Sequence, residues 1–244
     1  MTKVLVISDI HANLVALEAV LADAGKVDEV WCLGDVVGYG PRPNECIERI
    51  AGLPRLTSMM GNHDYAAVND MTLETFNPDA RKALLWQRET LSEASKEFLR
   101  AQSITPVERG EMTLAHGSPR DSIWEYIMNT LVARLNLDYF VTRWCVVGHS
   151  HFQAIFQYHN AEDDLTIEVP RPGTTYKLDE RAILNPGSVG QPRDRDPRAA
   201  YAIFSPKEET WETRRVEYDI ETVQAQILKA GLPARHAERL SGGW

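Results

Sequence analysis

The sequence predicts an α/β fold of two packed sheets with helices on the outside. Its opening alternates short β-rich runs with amphipathic helical stretches, and its last third is dense in strand signals. No stretch in the 244 residues reads as a long linker or an internal repeat. Alternating strands and helices start a parallel sheet, and a strand-rich half then supplies a second layer.

Lys3–Ser8 reads as a buried strand. Asn13 can cap a helix in which Leu14, Leu17 and Leu21 recur at helical spacing, and Gly25 ends it. Glu29–Leu33 is a second strand, Asn44–Ala51 a short helix and Arg55–Met60 a third strand. From Tyr65 to Gln102 there is no convincing strand, and Ala80–Arg88 and Glu93–Arg100 read as helices. Met112–Ala115 and Trp144–Val147 read as strands around a helix near Asn129–Asn136. Strands follow at Phe152–Tyr158, Leu165–Val169, Thr174–Leu178, Ala182–Leu184, Ala200–Phe204 and Thr210–Glu217. A helix from Asp219 to Lys229 and a short one after Leu232-Pro233 complete the reading. Residues 1–244 are expected to form one domain with a helical insertion at 66–102. That insertion either sets substrate choice or forms a plain structural layer.

The composition is that of an ordinary globular chain, with 43% apolar and 25% charged residues. No apolar run reaches the roughly 18–20 residues that span a bilayer. The first residues, MTKVLVISDIHAN, enter a strand pattern without a basic leader, so a cytoplasmic protein without a membrane partner is expected. The formal net charge of −9 disfavours a nucleic-acid polymer, which is held by a basic face. Cys32, Cys46 and Cys145 show no CxxC spacing and read as buried thiols, not disulfides or zinc thiolates. A homo-oligomer is compatible with all of this.

The informative feature is where Asp, His and Asn fall. Asp9 and His11 follow the first strand, Asp35 the second, and Asn62, His63 and Asp64 the third. His116 follows TLA, His149 and His151 follow WCVVG, and Asn185-Pro186-Gly187-Ser188 follows AIL. Each cluster alone is also an ordinary turn sequence. Six of them, each at a strand end, fall where α/β sheets place their ligand sites. In extended chain the spacings Asp9-x-His11 and His149-x-His151 would aim each pair at one point. Oxygen and imidazole donors without thiolate suit manganese, iron or zinc, and seven donors suffice for two ions that share one carboxylate.

The ordered set Asp9-Ile10-His11, Gly34-Asp35, Gly61-Asn62-His63-Asp64, His116 and Gly148-His149-Ser150-His151 resembles the signature segments of the calcineurin-like metallophosphoesterase superfamily. The Asn-Pro-Gly-Ser segment looks like the small bacterial and archaeal phosphodiesterase branch. The resemblance runs from Val4 to Ser188 and implies an α/β (α+β) fold, an α/β/β/α sandwich of two mixed sheets with a dimetal site at the strand C-terminal ends. It implies that Asp9, His11, Asp35 and His151 hold one metal, and that a bridging Asp35 with Asn62, His116 and His149 holds a second. It implies hydrolysis of a phosphate ester, foremost a phosphodiester, by a metal-bridging hydroxide. His63 would assist the leaving group, with Asp64 orienting its ring. The two divalent ions would be manganese first, with iron, zinc or nickel as alternatives.

Asn62 and Arg193 are candidate substrate contacts, although Asp194 and Asp196 make a solvated mixed-charge loop the better reading of the Arg193–Arg195 stretch. Tyr39 could flank the pocket or simply occupy a turn. His159 and His236 read as surface groups. Relatives often carry a proline soon after the last histidine, where this chain has Phe152-Gln153, so substrate contacts there are open. A phosphomonoesterase, a dinucleoside-polyphosphate hydrolase and a protein-interaction scaffold on the same fold are the competing readings.

Overall fold

In β1 (Val4–Ile7) every residue is buried, and the strand's alternation splits its side chains between two cores. Val4 and Val6 enter the core between the sheets, while Leu5 and Ile7 enter the core beneath the helices. The computed structural model describes residues 2–244. Two six-stranded mixed sheets stack face to face with helices outside, as the sequence predicts.

The first sheet runs in the order β3 (Leu56–Ser58), β2 (Glu29–Cys32), β1, β11 (Ala199–Ser205), β12 (Thr210–Val216) and β9 (Thr175–Lys177). The second runs β4 (Val107–Arg109), β5 (Met112–Leu114), β6 (Trp144–Val146), β10 (Arg181–Pro186), β7 (Gln153–His159) and β8 (Asp164–Glu168). Strands β1, β2 and β3 are mutually parallel, as are β5, β6 and β10. Antiparallel strands complete both sheets. Trp31, Phe204 and Trp211 from the first sheet meet Met112, Trp144 and Leu184 from the second in the shared core.

Helices α1 (Leu14–Ala24), α2 (Pro43–Ala51), α3 (Asn62–Val68), α4 (Pro78–Thr90) and α5 (Glu93–Arg100) cover the first sheet. Helix α6 (Thr130–Asn136) covers the second. Helices α7 (Ile220–Lys229) and α8 (Ala234–Gly242) pack on each other and on Ala83 of α4. Asn13, Asn77, Ser92, Asn129 and Asp219 each cap a helix by accepting a backbone N–H.

Two elements depart from the expectation. Strand β4 is short and polar at an edge, so it carries no hydrophobic alternation to reveal it. Helix α3 begins at Asn62, where Gly-Asn reads as a turn. There Gly61 is the N-cap, and its N–H donates to Asp64 Oδ2 at 3.1 Å, which starts the helix.

Candidate active site

Parallel strands end on the same side, so the loops after β1, β2, β3, β5 and β6 converge on one rim of the sandwich. Five of the ligand-type residues on those loops lie in left-handed backbone: Asp9 (φ 53°), His11 (49°), Asp35 (51°), His149 (62°) and His151 (63°). The pairs Asp9/His11 and His149/His151 therefore converge through sharp turns and not through the extended alternation expected from their spacing. Asp and His tolerate this region better than most residues, but it is still strained, by about 1–3 kcal/mol each. Neighbouring strands hold the turns in place. The backbone N–H groups of Asp9, His11 and Ala12 donate to the carbonyls of Gly34, Asp35 and Val36 at 3.0, 2.9 and 2.8 Å. Ser188 Oγ donates to the Asp9 carbonyl at 2.7 Å, and Asn185 Nδ2 to that of Gly148 at 2.8 Å.

Two glycines let these loops approach. A Cβ at Gly61 would lie 2.1 Å from Asp35 Oδ1, and one at Gly148 would lie 1.9 Å from Ser8 Oγ. Either would force apart two of the turns that carry ligands.

The side chains form two overlapping donor groups. Asp9, His11, Asp35 and His151 make one, and Asp35, His116 and His149 the other. Asp35 Oδ2 lies 3.7 Å from His11 Nε2 and 3.5 Å from His116 Nε2, so a single oxygen faces both groups. Asn62 Oδ1 lies 3.3 Å from His116 Nε2, beside the second group. All seven residues are buried.

The donor set fits cations. His11 Nδ1, His116 Nδ1 and His151 Nδ1 lie 3.0, 2.8 and 2.5 Å from the carbonyls of Val37, Leu33 and Gln191. A ring that donates Nδ1–H keeps its lone pair on Nε2. The Nε2 atoms of His11 and His151 nevertheless face each other at 3.1 Å, and Asp9 Oδ1 is buried without a hydrogen-bond partner. Burial holds His11, His149 and His151 well below the ordinary histidine range and lowers His116 too, so the rings are neutral. Burial also raises the carboxyls, Asp9 to about 7 and Asp35 well above its usual range with repulsion from Asp64 added. Opposed lone pairs and underbalanced carboxylates need positive charge between them.

His63 lines a cleft beside these ligands with Tyr39, Asn62, Phe76, Tyr126 and His149. Its ring meets those of His11, Tyr39 and Phe76 at 5.0, 4.5 and 5.1 Å, and its buried Nδ1 has no partner. Asp64 does not orient it as expected. Its carboxylate instead accepts the backbone N–H groups of Val36, Val37 and Gly61 at 3.2, 2.9 and 3.1 Å, which ties the β2 loop to the start of α3. Burial, followed by Arg193, holds His63 well below its ordinary range, so its ring is not charged.

Residues 2–209 match the model of the calcineurin-like phosphoesterase superfamily domain. The chain belongs to that superfamily. Among calcineurin-like phosphoesterases it is similar to the metallophosphoesterase from Sphaerobacter thermophilus. The two are 46% identical with a TM-score of 0.92, over 100% of this chain and 99% of that one. It is also 38% identical to an uncharacterized protein of Methanocaldococcus jannaschii, over 98% of this chain and 97% of that protein. A hypothetical protein from Pyrococcus horikoshii shares the fold, with a TM-score of 0.78 at 21% identity and coverage of 100% and 99%. Divalent metals serve this superfamily, and the chain has a buried His/Asp cluster that could hold such ions.

Further residues of this calcineurin-like phosphoesterase reach the site unannounced by motif. Tyr126 stacks on His149 with ring centroids 3.7 Å apart. His236 is 3% exposed, not a surface group, and packs edge-on against Tyr39 at 4.9 Å. Arg193 leaves the acidic neighbours of its loop to other partners, because Asp194 pairs with Arg215 and Asp196 with Arg198. Gln153 is committed to structure, its Nε2 donating to the carbonyls of Pro186, Tyr201 and Arg214. Arg235 and Arg239 of α8 line a space with Tyr39 and Arg193, and their four-residue spacing, one face of a helix, is the trace they leave in the sequence.

Proposed function

We propose that this chain hydrolyses a phosphodiester using two divalent cations, manganese first among them. One observation carries the reading: the Asp35 carboxylate stands between two donor groups, with an oxygen facing both. Cations held there supply Lewis acidity toward the phosphoryl oxygens and a hydroxide nucleophile near neutral pH. Asp9, His11 and His151 would hold the first cation with Asp35, and Asn62, His116 and His149 the second. Neutral imidazoles leave only Asp9 and Asp35 as anions in the donor set, so the loaded site attracts phosphate. The carbonyls of Val37, Leu33 and Gln191 fix three of the rings and spare them reorganisation on loading. His63 would act at the cleft as a neutral N–H donor to the departing oxygen, and Arg193, beside Tyr39 in the adjoining space, would meet a phosphate oxygen.

The test combines metal content with turnover. The stripped chain, reloaded separately with manganese, iron, zinc or nickel, is offered bis(p-nitrophenyl) phosphate and p-nitrophenyl phosphate. The expected result is metal-dependent cleavage with the diester preferred. Asp35→Ala should retain less metal than Asn62→Ala by elemental analysis, since one change weakens both sites. Equal metal retention would remove the bridging role of Asp35. A loaded chain that cleaves neither ester would leave the scaffold reading standing.

A further inference from the structure

Next to the metal-ligand cleft lies a second cavity of about 500 Å³, lined by Tyr39, Tyr126, Arg193, Arg235, Arg239 and Trp244. Three guanidinium groups face it, with the Asp79 carboxylate and the Trp244 main-chain carboxylate as the acidic groups against them, in a chain of formal net charge −9. Arg193 and Arg235 are anchored without an ion pair, and Arg239 meets only the main-chain end at Trp244. Arg193 Nη2 donates to Tyr39 Oη at 3.3 Å and Gln191 Oε1 at 3.2 Å, and its buried Nε has no partner. Arg235 and Arg239 lie over the Trp244 ring at 5.6 and 5.7 Å, and Arg239 Nε donates to the Trp244 main-chain oxygen. The ion pairs of the adjoining loop go to Arg198 and Arg215, and none of the described ion pairs includes Arg193, Arg235 or Arg239. Burial, followed by repulsion from Arg193, pushes Arg239 down to about 10. Like charges gathered in a half-buried space are costly unless an anion joins them.

The cavity is held open by packing. Arg235 and Arg239 are one helical turn apart and share a face of α8. Leu240 and Ala237 seat that helix on Val223 and Ile227 of α7, and the buried His236 ring abuts Tyr39. The Arg195 N–H donates to the Gly243 carbonyl at 2.8 Å, which ties the residues after α8 to the loop that carries Arg193. Tyr39 and Tyr126 line both this cavity and the cleft with Asn62, His63 and His149, so the two spaces adjoin.

We infer that the arginine cavity binds a second phosphoryl group of the substrate, so that the ester cleaved at the metals carries another phosphate on its organic part. The inference rests on the phosphodiesterase reading. Guanidinium forks match phosphate oxygens in pairs, and an anion placed here would supply the missing countercharge.

Two measurements test it. In the chelator-stripped full chain the metal ligands offer phosphate no cation, so inorganic phosphate titrated by calorimetry reports the arginine cavity. The wild-type chain should bind it, and Arg235→Gln and Arg239→Gln should each weaken binding about tenfold, the size of one charge-assisted hydrogen bond. Arg235 is exposed, so its variant tests the cavity even if Arg239→Gln fails to fold. In the loaded chain, one p-nitrophenyl diester is compared with and without a second phosphate on its retained alcohol. The wild-type kcat/KM should favour the second phosphate about tenfold or more, and the ratio should fall toward one in both variants. No phosphate binding by the stripped wild type, unchanged binding in both variants, or a wild-type ratio near one overturns the inference. Phosphate binding that the variants lose, in a chain that cleaves neither diester with any metal, refutes the hydrolase reading and leaves an anion site standing.

Discussion

His63 lines the cleft, and burial together with the Arg193 guanidinium keeps its ring below the ordinary histidine range, a combination that sets a specific demand on its variant. His63→Ala should fold and keep its metal content. It should lose roughly 10²–10⁴-fold in turnover on esters with poor leaving groups and less on an activated nitrophenyl ester. Loss of metal would make His63 a ligand, and equal losses on the two esters would make it a positioning residue. Asp9 supports a second prediction, on stability. Its carboxyl is raised from 3.8 to about 7 by burial, with repulsion from Asp35 adding to it. A raised folded pKa means that the native state binds the proton more tightly than the unfolded chain. The stripped protein therefore loses stability through this group as pH climbs from about 4 to 7, by an amount on the order of a few kcal/mol. Asp9→Asn should melt higher than wild type at pH 8 in chelator, and the order should reverse once metal is added. Denaturant titrations in both conditions check the pair, and a variant less stable in both would refute it. At this scale the seven donors were legible from the sequence because each sits beside a strand end. The task of Asp64 was not, since a carboxylate bonded to three backbone N–H groups looks the same in sequence as one bonded to a histidine.

Helix α4 shows how an element can matter through the loops it holds. The buried Gln87 accepts from the Gly38 N–H at 2.6 Å and donates to the Gly40 carbonyl at 3.0 Å, clamping the loop that presents Tyr39. Arg88 reaches the carbonyls of Ala66, Asn69 and Met71, which hold the end of α3. Gln87→Leu keeps the volume but orphans both backbone groups, at roughly 1–3 kcal/mol apiece. The variant should lose stability on that scale by denaturant unfolding and raise KM more than it lowers metal content. A change under about 0.5 kcal/mol would show that the loop needs no clamp. The helical pattern of this stretch was readable, but its attachment was not, because a glutamine facing backbone 47 residues away leaves no periodic trace. Leu84, Leu91 and Leu99 also contribute to the core over the first sheet, so shortening the whole stretch would unseat that core along with any substrate contact.

The molecule as a whole brings residues from Asp9 to His151 to one rim because both sheets place their parallel strands with the same end toward it. Strand-helix alternation made the first sheet legible up to Arg55–Met60. The order of strands in the second half was not, since antiparallel partners are chosen by packing of the whole face and not by local pattern. One pairing has a consequence for how the chain acquires this shape. Strand β1 lies between β2, its near neighbour in sequence, and β11, with Val4 opposite Phe204. During synthesis β1, β2 and β3 can assemble early, but one flank of β1 has no partner until Ala199–Ser205 has been made. A nascent chain thus carries a hydrophobic, unpaired strand edge through most of its elongation, a state prone to sticking to its neighbours. Closing so long a loop also makes folding slow, because the entropy of closure is spent before the contacts form. Refolding from denaturant should accordingly be retarded far more by weakening the β1–β11 seam than by an equal loss of stability in the early βαβ units, and the last strands to be made decide when the molecule becomes whole.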